Sequence, residues 1–325
     1  MSDAEPILAG PADDAGFRHG RTSRSGIFGM LGAWVLWSMD PILIHMIGPT
    51  VQRSFLVAIA LIIGGLSMMV SGHGAFKRIL TLAPKHLLLL AVLVVLSTAG
   101  AELLYVSAIA IMNPGLVGVL LRSQVAFAVI LAMVFLGERF GKVTAWGIIV
   151  ILAANVGWLG YNLSHSGTTG SLLGWALAIG AAVLWSLGTI TAKSLVNVLP
   201  PNQLVVARLT LGGLLMLIVS LGMYGLGAIG QITPAQWVLL VTKGVFTSGI
   251  TFFLYFWALR RLRVYVASAL EQVAPLATLF VAHFWLRQTV TWHDVVFVGV
   301  LLVGAAIVIV GGDREILTRI LCRRK

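Results

Sequence analysis

The sequence predicts an all-α integral membrane protein, with ten transmembrane helices arranged as two inverted five-helix repeats. Three observations lead there. Of the 325 residues, 59% are hydrophobic and only 10% charged, more apolar surface than a water-soluble core can enclose. The apolar residues come in runs of about 20, the length of helix that crosses about 30 Å of hydrocarbon, and the alternating segments of a membrane β-barrel are absent. Finally, Val35-Leu36-Trp37-Ser38 returns letter for letter as Val183-Leu184-Trp185-Ser186, 148 positions later.

The elements follow in order. The polar segment 1-25 carries Asp3, Glu5, Asp13, Asp14, Arg18, Arg21 and Arg24 and has no signal-peptide core, so it reads as a cytoplasmic tail. Apolar runs between breakers then give helices over 26-47, 51-71, 86-111, 115-136, 143-162, 172-197, 203-224, 235-259, 265-286 and 293-311. The breakers are Gly48-Pro49, Gly72-His73-Gly74, Asn113-Pro114-Gly115, Pro200-Pro201 and Pro234. A basic cytoplasmic tail, 312-325, holds the single cysteine, Cys322, which excludes an internal disulfide and reads as a surface thiol.

Charge gives direction. The net charge of +11 reflects short basic clusters between apolar runs, a pattern of bilayer orientation and not of nucleic-acid binding. Arg18, Arg21 and Arg24; Lys77, Arg78 and Lys85; Arg139 and Lys142; Arg260, Arg261 and Arg263; and Arg314, Arg319, Arg323, Arg324 and Lys325 make 16 of the 22 basic residues. All fall on the face of the N-terminus, whereas only Arg53 and Arg287 flank the other. Both termini are therefore expected in the cytoplasm.

The repeat extends beyond one tetrapeptide. Leu103-Leu104-Tyr105-Val106-Ser107-Ala108-Ile109 matches Phe253-Leu254-Tyr255-Phe256-Trp257-Ala258-Leu259 at an offset of 150, and Gln124-Val125-Ala126 matches Gln272-Val273-Ala274 at 148. Phe135-Leu136 matches Trp285-Leu286 at 150. Anchors in one order with nearly constant offset predict two homologous halves, 26-162 and 172-311. Five helices per half is an odd number, so the second half runs the other way up. An inverted repeat of this kind marks a transporter whose site lies near the midplane between the halves.

The chain also resembles a known family. Tyr105-Val106-Ser107-Ala108-Ile109-Ala110, Leu120-Leu121-Arg122-Ser123-Gln124-Val125-Ala126 and Phe135-Leu136-Gly137-Glu138-Arg139-Phe140 look like the closing pattern of the drug/metabolite transporter superfamily, nearest its ten-helix group with two EamA-type domains. Half two is degraded, with Leu286-Arg287-Gln288 in place of Leu-Gly-Glu, although Pro275 keeps the family's helix-nine proline. The resemblance covers about residues 26 to 312 and implies export of small metabolites, amino acids and aromatic amino acids among them, from the cytoplasm across an inner membrane of bacterial type.

Ionisable groups inside spans are costly and tend to face a cavity. Lys193 and Arg208 lie toward the cytoplasmic ends of their helices, within snorkelling reach of the headgroups. His45 and His283 approach the outer interface. Asp40, Glu102, Arg122 and Lys243 fall deeper, in the outer half of the bilayer. Two acids and two bases there either neutralise one another or meet a zwitterion, carboxylate to Arg122 or Lys243 and ammonium to Asp40 or Glu102. Glu271, assigned to the inner half, stands one turn before Pro275. Glu271, Glu102 and Asp40, in that order, are candidates to carry a coupling proton, although uniport fits the sequence equally.

Trp37 and Trp185 sit near helix centres, where an interfacial belt does not explain them. Trp37 with Asp40, and Glu102 with Tyr105, are i,i+3 neighbours, an acid beside an aromatic. Tyr255, Gln124 and Gln272 complete the candidate substrate-binding set through the repeat. The repeat partners of Asp40 and Glu102 are Gly188 and Phe252, so the acids are not duplicated. No nucleophile, metal set or phosphate loop marks an enzyme or an ATP-driven pump, and His293-Asp294 stands alone, so neither cofactor nor metal is expected. The expected partners are the lipid bilayer and a small-molecule substrate. One chain supplies two halves, so a monomer suffices. Asp40 keeps efflux of cationic drugs open as an alternative, beside movement of nucleotide-type compounds.

Overall fold

The computed structural model describes residues 23–112, 114–138, 140–165, 171–274 and 291–312, and every regular element among them is a helix. Pro275, His283, Leu286-Arg287-Gln288, Arg139, Cys322 and nearly all of both tails lie outside the described residues. Seven described helical stretches, some of them composite, are long and apolar enough to cross a membrane: Arg24–Ile47, Pro84–Ile111, Lys142–Tyr161, Leu172–Leu195, Pro201–Tyr224, Pro234–Leu259 and Trp292–Gly311. Two shorter apolar helices, Arg53–Ser67 and Gln124–Leu136, accompany them.

The run 26-47, expected as one helix, is two. Helix α1 (Arg24–Trp37) starts on the Ser23 hydroxyl, which accepts from the Gly26 amide, and α2 (Asp40–Ile47) follows after Ser38 and Met39. Pro41 explains the break. It has no N–H to give the Trp37 carbonyl four residues back, and its ring crowds that carbonyl, so α1 stops at Trp37.

Helix α3 (Arg53–Ser67) and the short α4 (Ala75–Ile79) lead to α5 (Pro84–Val92), a π-helical stretch Leu93–Gly100 and α6 (Ala101–Ile111). The run 115-136 is again broken, into α7 (Pro114–Leu121) and α8 (Gln124–Leu136), with Arg122 and Ser123 at the break. Helix α9 (Lys142–His165) ends the first half.

The second half opens with α10 (Leu172–Leu195) and α11 (Pro201–Tyr224). A 3-10 turn precedes α12 (Pro234–Thr242), which passes into a second π-helical stretch, Lys243–Ile250, and then α13 (Thr251–Leu259). Helix α14 (Val264–Leu270) gives way to a 3-10 turn at Glu271–Val273, and α15 (Trp292–Gly312) closes the described chain. The starts of α5, the first π stretch and α6 recur 150 residues on as the starts of α12, the second π stretch and α13. The 3-10 turn at Glu271–Val273 falls where the break before α8 maps, 148 residues later. The repeat thus extends to the irregularities of the helices.

Small residues bring the halves together. Helices α3 and α11 pack along the centre. A Cβ on Gly65 would come 2.9 Å from the Thr210 amide, and one on Gly213, its repeat partner, 2.8 Å from that of Ile62. Helices α9 and α15 pair through Gly147 and Gly304, where Cβ atoms would press on Val308 and Ile151. The first helix of each half leans on the other half: α1 packs on α13, and α10 on α6.

Two side chains fix the corner between α13 and α14. Lys193 is buried, not snorkelling as its place in the helix suggested: its Nζ donates to the carbonyls of Leu259 at 2.6 Å and Leu262 at 2.5 Å. The Leu259 carbonyl ends α13 and that of Leu262 lies in the connection to α14, and carbonyls left at a helix C-terminus draw a cation. From the other side Glu138 Oε1 accepts from the Val264 amide at 2.9 Å, at the start of α14. Gly137, at φ +63°, turns the chain out of α8 to bring Glu138 there.

Candidate functional site

A cavity of about 140 Å³ lies between the halves, walled by α1, α2, α6, α7, α8, α10, α11, α13, the first π stretch and the 3-10 turn at Glu271–Val273. Its apolar walls repeat. Trp37 on α1 meets Tyr255 on α13, ring centroids 5.3 Å apart at 56°. Trp185 on α10 meets Tyr105 on α6 at 5.2 Å and 58°. Trp37 maps to Trp185 and Tyr105 to Tyr255, so these are two copies of one contact, each joining a helix of one half to a helix of the other. Tyr255 also shares a 2.8 Å hydrogen bond with Thr189, and Trp34 meets Trp37 at 4.6 Å with the rings tilted by 55°, its indole N–H unpaired among the described residues.

The charges do not repeat. Asp40, in the first turn of α2, is buried; its Oδ1 accepts from Lys243 Nζ and from Thr247 Oγ1, each at 2.5 Å. At the symmetric place Gly188 faces Ser97, and a Cβ there would fall on the Ser97 hydroxyl. Leu93 stands for Lys243 and Ser97 for Thr247. Arg122, at the break between α7 and α8, lies 4.0 Å from Glu271 and donates to its carbonyl at 3.4 Å. The repeat partners of Arg122 and Glu271 are Leu270 and Ser123. Glu102 maps to Phe252, and Arg208 to Ala60 through the aligned Gly64-Gly65 and Gly212-Gly213.

Of the candidate substrate-binding and coupling residues, Trp37, Asp40, Glu102, Tyr105, Arg122, Gln124, Trp185, Tyr255 and Glu271 line this cavity. Two do not. Lys243 stands behind Asp40, consumed by the ion pair. Gln272 is fully buried, with its Nε2 3.5 Å from the Ser268 carbonyl and its Oε1 unpaired among the described residues, because the 3-10 turn rotates it away from Glu271. Of the four deep charges, Asp40 and Lys243 neutralise one another, whereas Glu102 and Arg122 do not pair. Arg122 instead meets Glu271, which the depth assignment had put in the opposite half of the bilayer. Both stand at helix breaks that the repeat superimposes, and that brings them to one level.

Arg208 corrects the snorkelling expectation. It is 3% exposed and lines the cavity. Its Nε donates to Thr98 Oγ1 at 2.7 Å, and its guanidinium lies 4.0 Å over the Phe252 ring. It starts seven residues inside α11, about 10 Å of rise, and the first π stretch holds it there through Thr98. An unduplicated charge flanked by duplicated glycines was the signal in the sequence. Thr98 in turn donates to the Leu93 carbonyl, five residues back, a bond that the π-helical turn provides.

No curated protein matches the chain. A solved crystal structure, described only as that of a protein, aligns over 90% of this chain and 98% of its own with a TM-score of 0.71 and 19% identity, a likeness of fold. The model of the EamA-like transporter family, membrane transporters of small solutes, matches twice, over residues 24–158 and 172–310. Two matches across most of a chain built from membrane-spanning helices make it a member of the EamA-like transporter family.

Proposed function

We propose that this chain is a secondary transporter that exports small metabolites, amino acids and in particular aromatic ones, from the cytoplasm across a bacterial-type inner membrane by alternating access. In this reading it spans the bilayer ten times, as inverted five-helix halves over 26-162 and 172-311, with both termini cytoplasmic and a single chain sufficient. The repeat of the π stretches and helix breaks at offsets of 150 and 148 supports the two halves. Helix α3, shorter than a usual span, is the repeat partner of the 24-residue α11.

One observation carries the substrate class: the duplicated Trp–Tyr contacts, both between halves, on either side of one cavity. Two aromatic walls suit a flat apolar group, and each wall changes as the halves rock. About 140 Å³ is close to the roughly 150 Å³ that holds benzene. A ring therefore fits as the cavity stands, and a whole aromatic amino acid needs modest widening. The cation-efflux alternative loses its main support, since Asp40 is already neutralised by Lys243.

Counterflow in proteoliposomes tests this. Labelled phenylalanine is expected to exchange faster than threonine, and methyl viologen not at all. Exchange of the dication without either amino acid would defeat the proposal.

A further inference from the structure

Six charged side chains line or border the cavity, and four are matched to one another. Asp40 and Lys243 form one pair, and Arg122 faces Glu271. Glu102 and Arg208 remain. Among the described residues, Glu102 has no hydrogen bond and no ion pair; of the charges that act on it through space Lys243 is foremost, before Asp40 and Arg208, and Arg208 in turn feels Glu102 with no ion pair within 4.0 Å between them. Arg208 uses one N–H, to Thr98, and lies over the rings of Phe252 and Phe256; among the described residues its guanidinium makes no other hydrogen bond.

We propose that Glu102 and Arg208 are the two ends of a zwitterion clamp: Glu102 takes the ammonium and Arg208 the carboxylate of an α-amino acid whose side chain lies between the Trp–Tyr walls. The inference rests on the amino-acid reading above and deepens it. A carboxylate and a guanidinium that share one sheltered cavity without a direct hydrogen bond or ion pair between them gain from a ligand whose opposite charges touch both. In an α-amino acid those two groups hang from one carbon, so a single ligand answers both charges. Guanidinium and carboxylate match as a two-pronged pair, and the hold of Thr98 and Phe252 on Arg208 fixes that fork beforehand. Both charges are also absent from the repeat-related positions, Phe252 and Ala60. The clamp therefore gives the substrate one orientation in a site whose walls are otherwise symmetric.

The test is competition against labelled phenylalanine in counterflow at equal pH on both sides, with phenethylamine, which lacks the carboxylate, and 3-phenylpropionate, which lacks the ammonium. In the wild type each is expected to compete at least about tenfold more weakly than phenylalanine, the loss of one charge-assisted contact. Arg208→Gln is expected to bring phenylalanine down to the level of phenethylamine while phenylpropionate stays weaker than both, and Glu102→Gln to bring phenylalanine down to the level of phenylpropionate. Arg208→Lys is expected to restore part of the carboxylate preference, separating charge from the two-pronged fit. Phenethylamine or phenylpropionate matching phenylalanine in the wild type would overturn the clamp without any variant, as would a ranking left unchanged by both. If the wild type exchanges no amino acid, the proposed function falls and the clamp with it.

Discussion

Lys243 Nζ stands 2.5 Å from Asp40 Oδ1, and the residues that the repeat sets opposite them are Leu93 and Gly188. An ion pair on one side of the molecule has an apolar contact as its counterpart on the other. The pair joins α2 of one half to the second π stretch of the other, so it ties the halves together on one side only.

Removing one member leaves a buried charge unanswered. Asp40→Asn or Lys243→Met alone is expected to cost about 3–5 kcal/mol. The double variant Asp40→Gly with Lys243→Leu, which copies the residues of the other side, is expected to cost far less than the sum of its single changes. Thermal unfolding in detergent, run as a double-mutant cycle, measures the coupling; simple additivity would mean that the pair does not hold the halves.

Gly188 leaves no room for a side chain. Its Cβ would lie 1.8 Å from Ser97 Oγ, so Gly188→Ala is expected to destabilise by about 1–3 kcal/mol, the cost of overpacking. Adding Ser97→Gly clears the obstacle and is expected to recover at least half of the loss. Unfolding curves of the single and double variants decide it.

The two tryptophans are expected to act as equivalents. Trp37→Ala and Trp185→Ala are each expected to raise the KM for phenylalanine about tenfold, roughly the 1.4 kcal/mol of a lost aromatic contact. Phe at either position keeps a ring and most of the affinity. Counterflow kinetics with phenylalanine and with threonine check it, since threonine is expected to lose much less.

Glu138, beyond the end of α8, carries a pH dependence. Burial pushes its carboxyl above the usual value of 4.5, against the pull of the Val264 and Tyr265 amides and of Lys193. An acid whose value is raised in the fold binds its proton more tightly folded than unfolded. Its contribution to stability is therefore complete below pH 4.5 and fades as the pH rises above that value. Glu138→Gln keeps an acceptor for the Val264 amide and loses the titration. The wild type is expected to lose stability relative to this variant on going from about pH 5 to about pH 7. Parallel unfolding midpoints across that range would contradict it.

Much of this was legible in the chain. Hydropathy alone shows a membrane protein, because no aqueous fold buries so much apolar surface. The repeat was readable from VLWS, Tyr105 with Tyr255, and Gln124 with Gln272, because the residues that line a shared wall are kept in both copies. The helix breaks were less legible: Pro41 signals the first, but nothing in Leu121-Arg122-Ser123-Gln124 advertises the second. Arg208 was misread for a definite reason. Depth along a helix says whether a side chain can reach the headgroups, not whether neighbouring helices leave it a path.

By itself the sequence determined that the chain crosses a membrane, that it consists of two related halves, and that its acids are not duplicated. Those properties depend on composition and order alone. Only the tertiary structure decided which charges cancel. Asp40 meets Lys243 and Arg122 meets Glu271 across 203 and 149 positions of chain, and Glu102 and Arg208 are left with the cavity. Coulomb energy falls with distance in space, and distance in space between helices is set by how glycines let them pack.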